Sequence, residues 1–548
     1  MKIKKLLLAA FLCSQFLFLK AQENNKLPGE IHGNFEMTTQ FYSVDTIIGA
    51  PIVPEKVLMN GFLNLIYTKD KFTAGLRYEA YQNVLQGFDP GYAGSGIPFR
   101  YGTYSGDLLE ITAGNFYEQF GSGLIFRSYE ERGLGVDNAM EGMRVKAKVR
   151  PGIYLKGMIG RQRLFFAQSN GIVRGIDGEF NLNEAFEGLA EKKTKVILGS
   201  SFVSKYQADD NVTYNLPENV AAAGGRLNLI RGNFSIFSEY VYKANDPSAD
   251  NNFIYKPGQA FFISTSYSTR GFGLNLSAKH IDNMSFRSDR NENINNLLIS
   301  YLPALTKQHT YNLAATLYPY ATQPTGEVGF QADLTYKLKK GTWYGGKYGT
   351  SVLVNYAAAN GLDTTSIDDL NTTRQAYKTN ILSTGDIVFF RDFNIEVTRK
   401  LSKEFKLKAS YFNFIFNNDV MKLAGKPGTF YVDIAFIDLL YKFNKTHSLR
   451  TEFQNMWTKQ DQGNWATFVA EYSLAPHWFF SFMDQYNYGN PVESKRLHYP
   501  IFSSGYNTGG TRIMASYGRQ RAGIFCVGGV CRTVPASNGV TLSITSSF

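Results

Sequence analysis

Residues 71–81 read KFTAGLRYEAY, and their two sides differ in kind. Phe72, Ala74, Leu76, Tyr78 and Ala80 fall on one side of an extended chain, and Thr73, Arg77 and Glu79 on the other. Successive side chains of a strand point to opposite faces, so strict alternation marks a strand lying between two different media. The pattern recurs in residues 30–42, EIHGNFEMTTQFY, where Ile31, Phe35, Met37 and Phe41 oppose His32, Asn34, Glu36 and Gln40. It recurs as Phe272, Leu274, Leu276 and Ala278 against Asn275, Ser277 and Lys279, and as Val328, Phe330, Ala332, Leu334 and Tyr336 against Gln331, Asp333, Thr335 and Lys337. A hairpin is nearly explicit at 394–412: Ile395 and Val397 lead into a turn near Lys400–Lys403, and Phe405, Leu407, Ala409 and Tyr411 return.

Length separates the two kinds of β-protein that alternate in this way. Strands of globular proteins run about 5–6 residues, whereas a tilted strand crossing a bilayer needs about 9–11. The alternating segments here commonly reach the longer figure. Their polar side carries Arg, Glu, Asn and Gln, which suits a wet lumen, and their apolar side suits lipid. Aromatic residues gather at segment ends, as in IYTKDKF (66–72), NMWTKQDQGNW (455–465) and DQYNYGN (484–490), where interfacial girdles belong. A β-sandwich would share the alternation but would need neither the length nor the girdles. The expected fold is therefore all-β: a transmembrane antiparallel β-barrel of the outer-membrane type with roughly 16–22 strands.

Composition agrees. Of 548 residues, 15% are aromatic (43 Phe, 34 Tyr), 51 are Gly and only 17 Pro, with a slightly negative mean hydropathy. Beyond the N-terminus no apolar run approaches the ~20 residues of a membrane-spanning helix. No Pro-rich, Ser-rich or charge-block linker divides the chain, so residues 22–548 are expected to form one barrel. The N-terminus has Lys2, Lys4 and Lys5 before an apolar stretch, Leu6 to Leu19, and a cleavage point near Lys20-Ala21-Gln22, the layout of a secretory signal peptide over residues 1–21. Cys13 follows the bulky Phe11 and Leu12, where a lipid-attachment site wants small residues. Loss of the leader removes four lysines and takes the net charge from +11 to +7 (11 − 4). Basic and acidic residues alternate along strands instead of forming a patch or arm, which argues against nucleic acid as a partner.

Short connections (TKDK, RKLSKE, KFNKTH, LAPH) read as periplasmic turns. Longer polar ones, such as residues 282–296 (DNMSFRSDRNENINN) and 357–375 (AAANGLDTTSIDDLNTTRQ), read as external loops. The ending NGVTLSITSSF (538–548) alternates to an aromatic last residue, Phe548, the kind of signal that outer-membrane insertion machinery recognises. Just before it stands GIFCVGGVC (523–531). With Gly528-Gly529 as the two central residues of a tight hairpin turn, Cys526 faces Cys531 at about 4.5 Å between Cα atoms, within reach of a disulfide. An exported chain sits where such a bond persists. The clip is expected at the external tip or folded into the lumen. Zinc is disfavoured, since it wants about four ligands and no histidine lies nearby.

Residues 114–145, GNFYEQFGSGLIFRSYEERGLGVDNAMEGMRV, break the alternation. Arg127, Glu130, Glu131, Arg132, Asp137, Glu141 and Arg144 form a dense set of opposite charges punctuated by glycines. Such a segment reads either as a constriction or plug inside the lumen, where charges must be paired, or as an external loop with surface ion pairs.

This segment, the ending CVGGVCRTVPASNG…F and the KAQ leader together resemble an uncharacterised outer-membrane family of the Bacteroidota, domain-of-unknown-function family 6029, over essentially the whole mature chain. The resemblance implies a barrel in the outer membrane and carries over no activity or functional residue.

Six histidines are scattered without ligand spacing, and there is no H-E-x-x-H, no Walker loop and no G-x-S-x-G. No cofactor and no enzymatic activity are expected. The expected partners are the lipid bilayer with its lipopolysaccharide, the insertion machinery and other outer-membrane proteins. A porin-like channel for small solutes is the first functional expectation. The alternatives are a non-conducting structural or assembly subunit and, more remotely, a barrel-embedded hydrolase.

Overall fold

The computed structural model describes residues 29–293, 295–422, 426–528 and 530–548, so the leader expected at 1–21 and Gly529 of the expected turn lie outside the described residues. A 24-stranded antiparallel sheet curls until its ends meet. The first strand, Glu30–Tyr42, pairs on one side with Val57–Lys69 and on the other with the last, Ser537–Ser547. At this seam the Phe548 amide donates to the Gly33 carbonyl at 3.0 Å, and the Gly33 amide donates to the Phe548 carbonyl at 2.9 Å. The Phe548 ring lies over Gly33, where a Cβ would stand 2.5 Å from the ring edge, so this position takes glycine for close approach.

Ring strands are long, commonly 11–13 residues as in Phe72–Gln82 and Glu30–Tyr42, because a strand must cross the bilayer while tilted. The longest, Tyr377–Lys400, runs 24 residues and rises beyond its neighbours. Closure leaves no open sheet edge, which is what lets a β-structure stand in hydrocarbon. The outer face is apolar: Leu76, Ile159, Ile176, Leu198, Ile437 and Phe453 all stay exposed on it. Phe72 packs on Tyr104 at 5.1 Å, and Phe272 on Tyr267 at 6.0 Å and Tyr336 at 6.5 Å, forming an aromatic band at the rim of short turns. Tyr431 and Trp457 face outward near the other rim. This is the architecture of an outer-membrane barrel, and its apolar belt places the protein in the outer membrane.

Twenty-four strands exceed the upper end of the sequence count. The count falls short where alternation fades. In Phe405–Asn417 and Thr429–Lys442 the lumenal side chains Phe412, Phe414, Phe416, Phe430, Val432, Ile434 and Phe436 are as apolar as the lipid-facing ones, because a loop packs on them.

The two long connections singled out above also differ from expectation. Residues 357–366 continue the strand Thr350–Ser366 and are not loop. Residues 282–296 do not project outward: Met284 and Phe286 are fully buried inside the ring. An external loop would leave these side chains in water, whereas the lumen of so wide a ring offers them a dry place.

Candidate functional site

Three connections from the rim of long loops fold into the lumen. The first, residues 117–139, carries two short hairpins, Glu118–Phe120 with Phe126–Ser128 and Glu130–Glu131 with Val136–Asp137. Its tip enters because Gly121 takes a positive φ (+54°) with no room for a Cβ, which would sit 2.4 Å from the Glu239 carboxylate. The next amide, Ser122 N–H, donates to that carboxylate at 2.8 Å. Phe120, Leu124, Ile125 and Phe126 then pack against Val173, Val203, Val220 and Val241 of the wall and against Met284, Phe286 and Ile299 of the second segment.

The second segment, residues 283–325, fills the opposite half. Its short helix Asn312–Thr316 and flanking Tyr311, Tyr318 and Tyr320 pack on Phe390, Phe412, Phe414, Phe416 and Phe436. The third, residues 521–536, is the hairpin Gly523–Val527 with Val530–Val534. Cys526 and Cys531 form a disulfide across it, with Cα atoms 4.1 Å apart, and Val527 pairs with Val530 around Gly528. The hairpin lies inside the lumen: Tyr301 Oη donates to the Gly528 carbonyl at 3.2 Å, and Asn295 Nδ2 donates to the Cys531 carbonyl at 3.0 Å. The Gly123 carbonyl accepts from the Tyr301 amide at 2.9 Å, and the Gly133 carbonyl accepts from Arg532 Nε at 2.8 Å, so all three segments bond to one another.

The charged residues of 114–145 separate into distinct roles. Asp137 and Glu130 reach the wall. Arg77 Nη1 donates to Glu130 at 2.9 Å and Arg77 Nη2 to Asp137, while Arg77 Nε holds Glu79 at 2.6 Å. Arg163, from the strand Ile153–Leu164, holds Glu79 at 2.6 Å and Asp137 at 2.5 Å. Tyr117 Oη completes the cluster, donating to Asp137 Oδ1 at 3.0 Å. Arg77 and Glu79, from the stretch that opened the sequence reading, thus anchor a loop far along the chain. Arg132 bridges Glu130 at 2.6 Å and Glu36 at 2.8 Å and lies over the Phe62 ring. Arg127 stacks on Tyr129 and Tyr301, 4.5 and 4.0 Å from the ring centroids. Glu131 accepts the Gly133 amide at 3.2 Å. Arg144 projects inward from the strand Met140–Arg150 to the Tyr117 carbonyl and Glu110. Glu141 stands apart: one residue from the buried Met140, it faces outward and pairs with Arg100 at 2.9 Å.

Between the plug and the rim of short turns the lumen stays polar and charged. Glu110, Lys146, Lys156 and Glu118 meet there on one side, and Arg450 meets Asp438 and Glu471 on another. Burial alone would raise the Glu118 carboxyl, but Lys156 and Lys146 outweigh it and hold the pKa below its ordinary value.

A cavity of about 440 Å³ lies between the seam strands and the plug, lined in part by Glu36, Asn60, Phe62, Arg132, Arg521 and Arg532. The sequence reading misses Arg521, Arg532 and residues 297–325, and it places 282–296 outside the ring. The available signals were Met284 and Phe286 at strand spacing inside an otherwise polar stretch, and basic residues flanking the cysteine pair. The rings of His309, His447, His477 and His498 bond to Asp392, Tyr472, the Asn507 carbonyl and Asp484, not to a serine hydroxyl. Among the described residues no group of three or more His, Cys, Asp or Glu is arranged to hold a metal ion.

A family of unknown function, DUF6029, has a model that matches residues 1–548. The chain belongs to this family. As a DUF6029 member it has no match among curated proteins. Solved structures resemble it in shape. The siderophore receptor PirA from Pseudomonas aeruginosa shares 8% identity at a TM-score of 0.42, covering 96% of this chain and 81% of that one. The P pilus usher PapC translocation pore shares 9% at 0.45, covering 94% and 98%, and OccAB4 of Acinetobacter baumannii 11% at 0.33, covering 84% and 100%.

Proposed function

We propose that this DUF6029 protein is a gated outer-membrane transporter for small polar solutes, whose gate is made of its own three inward loops. The observation that carries the reading is the division of the lumen. One half is a charged, polar vestibule; the other is closed by packed loops, with Phe120, Phe126 and Phe286 fully buried. Rings of 16–18 strands enclose an aqueous channel and a 22-stranded one holds a plug. A ring of 24 strands is therefore wide enough to pass solute once the loops withdraw. A membrane anchor would need neither the width nor the charged interior. Lumenal charges then set selectivity, as in other pores.

Planar-bilayer conductance tests the reading. The intact chain is expected to be quiet or to open rarely. A variant in which residues 285–322 are replaced by a short Gly-Ser linker is expected to conduct steadily. Retained heat-modifiable gel mobility shows that the ring is still closed. A folded, excised ring that never conducts would refute the gate. It would favour the second reading, a non-conducting subunit, for which the sealed half of the lumen is the supporting observation.

A further inference from the structure

Two arginines in the third plug segment, the buried Arg521 and the half-buried Arg532, lack the carboxylate partners that the buried arginines of the lumen wall have. Arg77, Arg163 and Arg226 each meet carboxylates. Arg521 is nine-tenths buried, yet its bonds go to the Ala522 carbonyl at 2.9 Å, Asn312 Oδ1 at 3.3 Å and the Thr316 hydroxyl. Its Nε has no hydrogen-bond partner among the described residues, and the guanidinium lies 5.3 Å from the Trp465 ring centroid. Arg532 bonds to the Gly133 and Gln86 carbonyls and lies 3.9 Å over the Phe88 ring. Among the described residues neither forms an ion pair with a carboxylate. Burial pushes both guanidinium pKa values down to about 10, in the direction expected for a desolvated cation without a carboxylate beside it.

Both arginines line the same cavity of about 440 Å³. Its other charged residues are Arg132 and Glu36, which bind each other at 2.8 Å. The chamber therefore presents two guanidinium groups without counter-charge. Asn60 and Gln485 add polar groups, and Phe62, Leu85 and Phe525 add apolar wall. Buried cations are stable when paired, and a planar guanidinium matches carboxylate and phosphate oxygens in a two-pronged fashion. The volume lies in the range of small-molecule sites, roughly 300–1,000 Å³.

We infer that this cavity is a binding site for a small organic anion, its carboxylate or phosphate head held between Arg521 and Arg532 and its short apolar body against Phe62 and Phe525. As the solute class of the proposed transporter this rests on the gating reading; as a binding site it stands on the cavity alone.

The test is titration calorimetry on the full chain folded in non-ionic detergent, with hexanoate, hexyl phosphate and hexylammonium as probes. One site per chain is expected for at least one anion, and the stronger of the two identifies the head group. Hexylammonium is expected to give no heat. Arg521→Gln and Arg532→Gln should each weaken the anion about ten- to a hundredfold, the loss of a charge-assisted contact. Arg270→Gln, in a turn at the far rim, should leave binding unchanged. Gel mobility checks that each variant is folded, and Arg521→Lys serves if the glutamine variant is not. No heat from either anion with the folded wild type, equal heat from hexylammonium, or unchanged binding in the double variant overturns the inference. A protein that binds hexanoate but never conducts, even with its loops excised, would remove the gate and keep the site.

Discussion

Replacing Asp137 by asparagine leaves the cluster that holds the first plug segment one negative charge short. Arg77 and Arg163, both almost fully buried, share Glu79 and Asp137, while Glu130 is divided between Arg77 and Arg132. Arg132 already pairs with both Glu130 and Glu36, whereas Asp137 is held by both buried wall arginines, so the substitution strips a charged contact from Arg77 and Arg163 at once. Removing one member of a buried ion pair costs about 3–5 kcal/mol, because its partner stays desolvated. The Arg77–Glu79 and Arg163–Glu79 contacts belong to the wall and survive, so the penalty falls on the docking of residues 117–139 and not on the ring. At about 1.4 kcal/mol per tenfold, the undocked population should rise about a hundred- to a few thousandfold. Trypsin reads this directly, since Arg127 and Arg132 lie in the segment and are protected while it is docked. When reclosing is fast, cleavage follows the open population. Fragment sizes locate the cuts, and gel mobility confirms the ring. Adding Arg163→Gln should remove one of the two cations that lose this partner and recover part of the protection. Cleavage of the folded Asp137→Asn protein within threefold of the wild-type rate would falsify the clamp.

Three further outcomes follow from the same geometry. Phe286→Ala should destabilise the second segment by about 3–5 kcal/mol through the cavity it leaves, read as faster hydrogen exchange over residues 283–301 with strand protection unchanged; slowed or equal exchange contradicts the packing. Reduction of Cys526–Cys531, or Cys526→Ser, should loosen only the third segment by about 2 kcal/mol, as expected for a very short loop, leaving the melting of the ring where it was; a large fall in ring stability would show that the clip does more than shape the hairpin. Glu118 has a pKa held below the ordinary value of 4.5, so its pairing with Lys146 and Lys156 supports docking above that pH and is lost as pH falls through the lowered value. The protection of residues 117–128, taken relative to the intrinsic exchange rate at each pH, should therefore fall in acid, and Glu118→Gln should be loosened already at neutral pH and lack that acid step.

The ring was legible in the chain wherever its two faces meet different media. Phe72 to Ala80 shows lipid and lumen in one line because Arg77 and Glu79 sit in a polar cluster. Legibility failed where the lumen is dry. Phe412, Phe414 and Phe416 face inward but look lipid-facing, since periodicity reports a difference between faces and not which face is inside. The loops hid for the complementary reason. Residues 283–293 are polar apart from Met284 and Phe286, and these two carry the burial that turns the start of the segment inward. Both meet a wall assembled from strands far away in sequence, which no local pattern encodes. The cysteine pair was readable because its geometry is local: a tight turn sets Cys526 opposite Cys531 whatever surrounds it.

The seam ties the filling of the lumen to the closing of the ring. Thr38 and Ser543, hydrogen-bonded across it, are 505 positions apart in the chain, so the last stitch joins the earliest and latest stretches of the polypeptide. The third inward segment sits in the hairpin that leads into that final strand. Its place against Tyr301 and Gly133 exists only once the other two are seated. The strand that closes the wall is thus continuous in the chain with the hairpin that bonds to its interior partners, so seam and filling share one stretch of polypeptide.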